Sequence, residues 1–327
     1  MSEIAEKRVF GDRLGAREAY VASGAGLVRV RLRADAIGEF ALLDRRPARD
    51  LVVDDGTIAV ATAEDVLVGA VADVRSGDGD SKAETDAVHD GGPFAETGLG
   101  PAVAVGADAT GISAATSDGA LSRLVDGDWR SIDGPADLAV RAIDGELVGT
   151  DRGVYRLRND SLAPAGLADV RDVSVRGPWA ATGSGLYALG NGWMRTLEPA
   201  VDVVAVEPVT FAGEPPTVHA GAGSRLLERR VDACSGRDGN SGATGDASGS
   251  LDDRSSPAEG IGDADRTDGW TIVAEFDAPI VDVAHAEAGY SYVATADGRL
   301  HAVGPDGVRS RSIGVPDLAA VVVLDGS

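Results

Sequence analysis

One block of sequence recurs along the whole chain and constrains its fold more than any other feature. The clearest copy is PWAATGSGLYALGNGWMRTLEP, at residues 178–199. Aliphatic, aromatic and β-branched residues alternate there with glycine, which predicts three short strands separated by tight turns. The copies align on a small residue that ends the second strand. These anchors are Ser23, Thr62, Thr116, Thr150, Thr182, Gly221 and Thr295.

The spacing of the copies predicts an all-β fold, a seven-bladed β-propeller. Without two long insertions the period is roughly 32–40 residues, in or just below the range for four-stranded propeller blades. No stretch shows a sustained helical period, so we expect almost no helix. A count of six or eight blades follows if one copy is misassigned, and a two-sheet sandwich is the alternative architecture.

The two ends of the chain complement each other. The copy that begins at Ala19 lacks a first strand, and residues 317–324 form a first strand with no blade after it. We therefore expect the C-terminal strand to close the first blade, which leaves no long open edge in the ring. We expect residues 19–327 to form a single propeller, preceded by a polar lead-in at residues 1–18 with a short strand at residues 8–10.

Two segments interrupt the repeat, at about residues 73–97 and 235–269. Both are rich in Gly, Asp and Ser and poor in large apolar residues, so the sequence predicts disorder there. The first contains His89 among acids, but without the alternating acids, glycine and distal Glu of a calcium loop. The single cysteine, Cys234, adjoins the second and excludes an internal disulfide.

The charge balance is strongly acidic. The chain has 53 Asp and Glu against 30 Lys and Arg, a net charge of −23, and only two lysines, Lys7 and Lys82. This composition is typical of cytosolic proteins from extreme halophiles, with a hydrated carboxylate surface. It disfavours nucleic acid, which requires a basic stripe. We find no signal peptide and no apolar run of the ~20 residues that cross a bilayer. We expect a cytoplasmic monomer.

Three segments carry a family resemblance: TDRGVYRL at residues 150–157, TGSGLYAL at residues 182–189 and TADGRLHAVGPDG at residues 295–307. The first two resemble blades of two-component-regulator sensor propellers, and the third resembles a quinoprotein-type repeat. With its acidic composition, the chain resembles a haloarchaeal β-propeller family. The resemblance implies the fold and hardly constrains function. The chain lacks WD40, kelch and sialidase signatures and recurring quinoprotein tryptophans, so we expect no quinone and no other cofactor.

An aspartate precedes or opens the first strand in six of the seven copies. These residues are Asp50, Asp137, Asp172, Asp202, Asp282 and Asp317, and the exception has Ala102. First strands are innermost in a propeller, so equivalent positions form a ring around the central channel. Such a ring could bind a cation or a basic peptide. Alternatively, each carboxylate accepts backbone hydrogen bonds between blades, and its repetition favours this structural role.

Five further residues are candidates for the channel rim. Arg49, Arg141, Arg171 and Arg176 lie in or just after first strands, where they could bind an anion or pair with nearby acids. His285 ends a first strand and could face the channel. His219 and His301 lie on second and third strands, where we expect packing roles. No nucleophile elbow and no short histidine spacing is present, so we assign no catalytic and no metal-binding residue.

Three hypotheses for the function follow. The first is a non-enzymatic binding or scaffold propeller with a protein partner, because the chain has a closed architecture and no catalytic motif. The second is a hydrolase or lyase that uses acidic, arginine and histidine side chains of the channel. The third is a small-ligand sensor, which the regulator-like blades suggest.

Overall fold

The computed structural model describes residues 17–33, 36–76, 93–208, 216–230, 266–267, 269–286 and 289–324. The expected strand at residues 8–10, most of both insertions, His89 and Cys234 lie outside these ranges.

Seven antiparallel sheets form the described part of the chain, and each is one blade of a propeller. The first strands of neighbouring blades contact each other in turn, and the last contacts the first, so the ring is closed. The prediction of a seven-bladed all-β propeller is confirmed.

The first blade joins the two ends of the chain. Its strands are β29 (Leu318–Leu324) innermost, then β1 (Arg17–Ser23), β2 (Gly26–Arg33) and β3 (Ala36–Asp44). Strands β29 and β1 pair antiparallel, with Val321 opposite Val21. The C-terminal strand therefore closes this blade, as the complementary ends of the sequence predicted.

The next three blades have their four strands in chain order. Blade two comprises β4 (Ala48–Asp54), β5 (Thr57–Thr62), β6 (Val66–Ala70) and β7 (Ala95–Glu96). Blade three comprises β8 (Ala102–Asp108), β9 (Gly111–Thr116), β10 (Leu121–Val125) and β11 (Asp128–Ile132). Blade four comprises β12 (Val140–Asp144), β13 (Leu147–Thr150), β14 (Gly153–Arg158) and β15 (Ser161–Gly166).

The last three blades complete the ring. Blade five comprises β16 (Val170–Ser174), β17 (Trp179–Thr182), β18 (Gly185–Leu189) and β19 (Trp193–Leu197). Blade six comprises β20 (Val203–Val206), β21 (Thr217–Ala222), β22 (Arg225–Arg230), β24 (Trp270–Glu275) and, as a fifth strand, β23 (Arg266–Thr267). Blade seven comprises β25 (Ile280–Ala286), β26 (Tyr290–Thr295), β27 (Arg299–Gly304) and β28 (Gly307–Ser312).

Blade two contains the helix of the described chain, α1 (Val71–Ser76), directly after β6. Its fourth strand, β7, has two residues, Ala95 and Glu96, which pair with Val68 and Leu67. The helix overlaps the start of the first insertion as the sequence delimited it, at residues 73–97, and β7 lies at its end. Residues 77–92 lie outside the described chain.

The core lies between blades rather than inside one sheet. Seven clusters of buried apolar residues occur, one at each of the seven interfaces between neighbouring blades. The cluster at the closing interface, for example, combines Val21 and Val321 of blade one with Leu300 and Tyr292 of blade seven. Each buried aliphatic side chain contributes about 1.5–3 kcal/mol, so a blade is stable only next to its neighbours.

In six of the seven blades a small hydroxyl residue ends the second strand and closes the turn into the third. Oγ1 of Thr150 donates to the carbonyl of Gly153 at 2.8 Å, and Thr182 and Ser23 make the same bond to Gly185 and Gly26. Blade six ends this strand at Ala222, one residue after the aligned Gly221. The repeated Thr therefore satisfies a turn carbonyl.

Three tryptophans begin or nearly begin fourth strands, as the sequence indicated: Trp129, Trp193 and Trp270. The indole of Trp193 donates to the carbonyl of Ala165 in the preceding blade, and that of Trp270 donates to Thr196. The last two side chains join the outer strands of neighbouring blades, which supports their assignment to packing.

Candidate functional site at the channel mouth

A β-bulge near the start of the inner strand reorients one side chain in six of the seven blades. In blade two, Ala48 pairs with Thr62 and Asp50 with Ala61, so Arg49 is left unpaired. The unpaired bulge residues are Arg49, Val103, Arg141, Arg171, Val281 and Ala319. Bulges of this kind turn a side chain that would otherwise follow the strand alternation. The three arginines therefore share one structural position.

The residue after the bulge lines the channel in five of these six blades. Three of these residues are acidic: Asp50, Asp172 and Asp282. One oxygen of each carboxylate accepts the amide of the following residue, at 2.7–2.8 Å. The other oxygen accepts an amide of the next blade. These pairs are Asp50 with Val105 at 2.9 Å, Asp172 with Val204 at 2.8 Å and Asp282 with Val321 at 2.7 Å.

Each of the three carboxylates bridges two neighbouring blades, so six of the seven blades are joined in pairs. After each acidic blade the ring has a blade with an apolar residue at the same place: Ala104, Val203 or Ala320. An inner strand has amides on its channel side that no further strand covers, and one aspartate satisfies two of them. Blade four is the odd one, with Ala142 at this position. For these three aspartates, the bonds are of the structural kind that the sequence offered as one of two alternatives.

Burial in the channel changes the protonation of these acids. Desolvation raises the pKa of Asp50 to about 7 and that of Asp282 to about 6, and it raises the pKa of Asp172 well above its usual range. The charge of Asp282 adds to the shift at Asp50 and Asp172, while the backbone hydrogen bonds oppose it. Desolvation prevails because two amide bonds do not replace the hydration of a carboxylate.

Each of the three bulge arginines, which we call the rim arginines, reaches across to the next blade. Arg171 forms an ion pair with Asp202, and Nη1 of Arg141 lies 2.7 Å from Asp169. Nη1 of Arg49 donates to the carbonyl of Ala102 at 3.4 Å, a weak bond. The hydrogen bond from Arg141 lowers the pKa of Asp169. The Arg141 side chain remains 38% exposed and that of Arg171 35%, so both are accessible from the solvent.

The inner strands enclose a cavity of about 190 Å³ on the ring axis. All seven blades contribute to its lining, with bulge residues and the residues that follow them. We define the channel mouth as the end at which the inner strands begin, formed by Arg49, Arg141, Arg171, Asp169 and Asp202. The cavity is too small for a drug-sized ligand, since such sites measure roughly 300–1,000 Å³.

The six aligned aspartates occupy three kinds of position rather than one ring. Asp50, Asp172 and Asp282 line the channel, and Asp202 holds the bulge-equivalent place in blade six, where it accepts the amide of Gly223. Asp137 and Asp317 lie outside the inner strands in exposed turns, with φ of 58° and 51°. Aspartate tolerates this left-handed conformation, which explains its frequency in such turns.

Arg176 and His285 lie toward the opposite end of the inner strands. Arg176 is exposed in the turn after β16, and His285 is the sixth residue of β25. The ring of His285 contacts that of His219, with centroids 4.9 Å apart. Desolvation lowers the pKa of His285 to about 3, with the charges of His219 and Arg176 acting in the same direction. The sequence indicated neither this pairing nor the nearby Glu228.

His301 packs as expected. Its ring is buried against Phe276, and its two nitrogens contact Thr295 and Ser310. Within the ranges that the structure describes, no group of three or more His, Cys, Asp or Glu side chains could hold a metal ion. No helix among the described residues is long and apolar enough to cross a bilayer.

Sequence reasoning missed Asp144 and Asp169. Asp144 accepts the amide of Val175 at 2.9 Å and so joins blades four and five, while Asp169 pairs with Arg141. Asp169 directly precedes its inner strand with φ of 48°, as Asp317 does. Alignment on the inner strand rather than on the second strand would have placed both.

Solved structures with the same fold share little sequence with this chain. The WD40 β-propeller domain of Doa1 has a TM-score of 0.53 and 12% identity, over 84% of this chain and 85% of that one. The computationally designed Ika8 protein has a TM-score of 0.52 and 12% identity, over 94% and 90%. Virginiamycin B lyase from Staphylococcus aureus has a TM-score of 0.52 and 7% identity, over 82% and 85%.

These likenesses show the fold alone, because identity is far below the level at which residues correspond. No curated protein sequence matches the chain. One family model matches residues 3–324, nearly the whole length. The chain therefore belongs to the HVO_0234-like β-propeller family.

Proposed function

We propose that this protein is a non-enzymatic binding propeller that holds a protein partner at the channel mouth. The observation that carries the proposal is the set of three arginines, Arg49, Arg141 and Arg171, at one bulge position and on one face. In a chain with 53 acidic and 30 basic residues, such a cluster is a local exception. A guanidinium presents several donors in a fixed plane and suits carboxylates of a partner.

The geometry favours a surface partner over a small metabolite. The axial cavity of about 190 Å³ is below the size of metabolite sites, so a ligand of the channel has to lie over its mouth. Each channel carboxylate already accepts hydrogen bonds from two backbone amides, so both of its oxygens are engaged within the fold. We therefore expect an acidic loop or terminus of the partner to displace Asp169 and Asp202 and to pair with the rim arginines in their place.

The acidic composition of the chain is the basis for proposing a compartment and an oligomeric state. We propose that the protein acts in the cytoplasm of a halophile and as a monomer, because the acidic excess is spread along the chain. High salt screens long-range attraction, so contact at the mouth must rest on short-range bidentate bonds.

A capture experiment in concentrated salt tests the proposal. Native protein is compared with Arg49→Gln/Arg141→Gln/Arg171→Gln and with a control of equal charge loss, Arg130→Gln/Arg158→Gln/Arg195→Gln, in outer strands. We expect one partner to bind native and control protein stoichiometrically, with at least tenfold weaker binding to the rim variant. Equal binding to all three proteins, or a protein that stays solitary, contradicts the proposal.

A second candidate is a channel enzyme. The elevated pKa values of Asp50 and Asp282 favour it, since such carboxyls can act as acids or bases near neutral pH. Substrate turnover that disappears in Asp50→Asn while the fold persists would support this candidate. Unchanged turnover in that variant would exclude the channel carboxyl as its catalytic group.

A further inference from the structure

The outermost strand of blade one, β3, has an exposed apolar edge. Four large hydrophobic side chains of the described chain are more than a third exposed, and two of them, Phe40 at 43% and Leu42 at 39%, lie on β3. The other two, Met194 and Val308, lie singly on β19 and β28. Among the described strands, β3 pairs with β2 alone. Residues 40–43, which we call the β3 edge, therefore combine exposed apolar side chains with backbone groups on a free side of the sheet.

The other outer strands are protected against pairing with a foreign strand. Strands β11, β19 and β28 each contain an arginine, β15 contains a proline, β7 has two residues, and β24 is covered by β23. Charge, proline, shortness and a covering strand are means by which proteins prevent such pairing. The β3 edge, Phe-Ala-Leu-Leu, has none of these. Blade one is thus the blade whose outer edge is open among those that the structure describes.

The neighbouring blade seven covers only the beginning of β3. Nη1 of Arg311 donates to the carbonyl of Ile37 at 2.8 Å and also to that of Gly38. The guanidinium lies 5.7 Å from the centre of the Phe40 ring, which stays exposed. Arg311 therefore blocks the start of the strand and leaves the β3 edge accessible.

A groove of about 1160 Å³ lies beside the β3 edge, between blades one and two. Its apolar lining includes Leu42 and Leu43 of blade one and Val68 and Phe94 of blade two. It lies where the fourth strand of blade two, β7, is only two residues long. Small-ligand sites measure roughly 300–1,000 Å³, so a groove of this size suits a segment of polypeptide.

Acidic side chains outnumber basic ones around this groove. Its lining contains two arginines and four acids: Arg45, Arg46, Asp44, Glu64, Asp73 and Glu96. Arg46 already pairs with Asp44 and Glu96, at 2.6 Å each. Glu64 precedes β6 and Asp73 follows it in α1, so each end of that strand has an acid near the groove. A basic segment complements this lining, whereas a second copy of the chain, with its net charge of −23, would be repelled.

We propose that an extended, basic segment of a partner protein adds to the β3 edge as a further strand of blade one. Its backbone pairs with residues 40–43, its apolar side chains cover Phe40 and Leu42, and its Lys or Arg side chains reach Glu64 and Asp73. In this mode of recognition the main-chain hydrogen bonds supply affinity and alternate side chains supply specificity. The surface lies on the outside of the ring and uses none of the residues of the channel mouth.

Selection of random linear peptides displayed on phage tests the surface without assuming a sequence. Full-length protein in concentrated salt is the bait, and Leu42→Lys protein removes the peptides that bind elsewhere. We expect enriched sequences in which apolar residues alternate with others and in which Lys or Arg lies near an end. When such a peptide binds, backbone amides within residues 39–43 should exchange hydrogen more slowly, because they enter a β-ladder.

Matched variants locate the binding. Leu42→Lys should weaken the binding of an enriched peptide by more than about tenfold, because a charge that repels the peptide replaces an apolar contact. Val308→Lys, a similarly exposed position on β28 with the same change in charge, is the control and should bind as the native protein does. Melting curves establish that the variants fold, and Phe40→Lys is the second test if Leu42→Lys does not.

A second pair of variants tests the charge of the partner segment. Glu64→Gln/Asp73→Asn should weaken binding by about two- to fivefold at the lowest salt in which the protein stays folded, as expected for exposed ion pairs. Asp126→Asn/Asp128→Asn makes the same change in charge in blade three and should leave the affinity unchanged.

Three results would overturn the proposal. The first is a selection that yields no peptide able to distinguish native protein from Leu42→Lys. The second is native protein that sediments as a dimer while Leu42→Lys sediments as a monomer, which would mean that the edge pairs with a second copy. The third is peptide binding that appears only after residues 77–92 are deleted, which would mean that a segment of the chain itself covers the edge.

Discussion

Two adjacent interfaces of the ring are held together in different ways. Between blades five and six, Asp172 accepts the amide of Val204, and Arg171 pairs with Asp202 at the channel mouth. Between blades six and seven the packing is close instead, and a Cβ on Gly221 of β21 would lie 3.0 Å from Ile280 of the inner strand β25. Both interfaces have an apolar core, but near the channel the first is joined by polar, titratable groups and the second by close apolar packing.

The same contrast recurs around the ring. Interfaces two–three and seven–one resemble five–six, with Asp50 and Asp282 as bridges. Interface three–four resembles six–seven, with Gly106 against Ile143. Arg49 and Arg171 lie at two of the polar interfaces. Arg141 lies at interface four–five, where Asp144 accepts the amide of Val175. The candidate binding residues therefore arise where blades are joined by hydrogen bonds. Close-packed interfaces supply rigidity instead.

The largest effect is expected at a close-packed interface. A Cβ at Gly106 would lie 2.5 Å from both the Ile143 carbonyl oxygen and its Cγ2. Backbone cannot yield as a flexible side chain does, so Gly106→Ala should lower the free energy of unfolding by about 3 kcal/mol. Chemical denaturation in concentrated salt measures this. The control, Gly192→Ala, has no atom within 4 Å and should change stability by less than about 0.5 kcal/mol. Equal stability of the two variants would contradict close packing.

The next effect is expected at the closing interface. Both oxygens of Asp282 accept amides, from Val283 and Val321, and an asparagine can accept only one of them. Asp282→Asn should therefore cost about 1–3 kcal/mol at pH 5, the penalty for a buried amide without an acceptor. Asp317→Asn, in an exposed turn that asparagine also tolerates, should cost less than about 0.5 kcal/mol. Denaturation midpoints compare them, and similar losses would show that Asp282 is no clamp.

The third prediction concerns pH and uses the same variant. The pKa of Asp282 is raised from 3.8 to about 6 in the folded state, so folding takes up a proton between these values. Its contribution is fully present below pH 4 and is lost as the pH rises through 6. The difference in stability between native protein and Asp282→Asn should therefore shrink between pH 5 and pH 8. For Asp50, whose pKa is raised to about 7, the loss should come at higher pH. A constant difference would refute the raised pKa.

The sequence carried the fold and part of the site. Its period, the repeated Thr and the complementary ends sufficed for seven blades and for closure by β29, because these depend on turn chemistry and local strand pattern. The positions of the six aligned aspartates were harder to predict from the sequence. Asp172 and Asp317 look alike in sequence, yet one follows a bulge in an inner strand and the other lies in a left-handed turn. A bulge shifts the strand register by one residue, and no side-chain pattern in the sequence indicates where it occurs. The contact of His219 with His285 depends on the rotation between neighbouring blades, which sequence does not contain.

The smallest effect is expected at the channel mouth, where Arg171 and Asp202 are each more than a third exposed. Such ion pairs contribute about 0–1 kcal/mol, so Arg171→Gln should cost less than 1 kcal/mol at low salt and nothing measurable at 1 M, where the Debye length is about 3 Å. Arg158→Gln, an exposed outer-strand change of equal charge, is the control. Denaturation at both salt concentrations measures the difference. A larger cost that persists at 1 M would make Arg171 a structural clamp like Asp172. A small cost would leave its guanidinium able to change partners, as binding at the mouth requires.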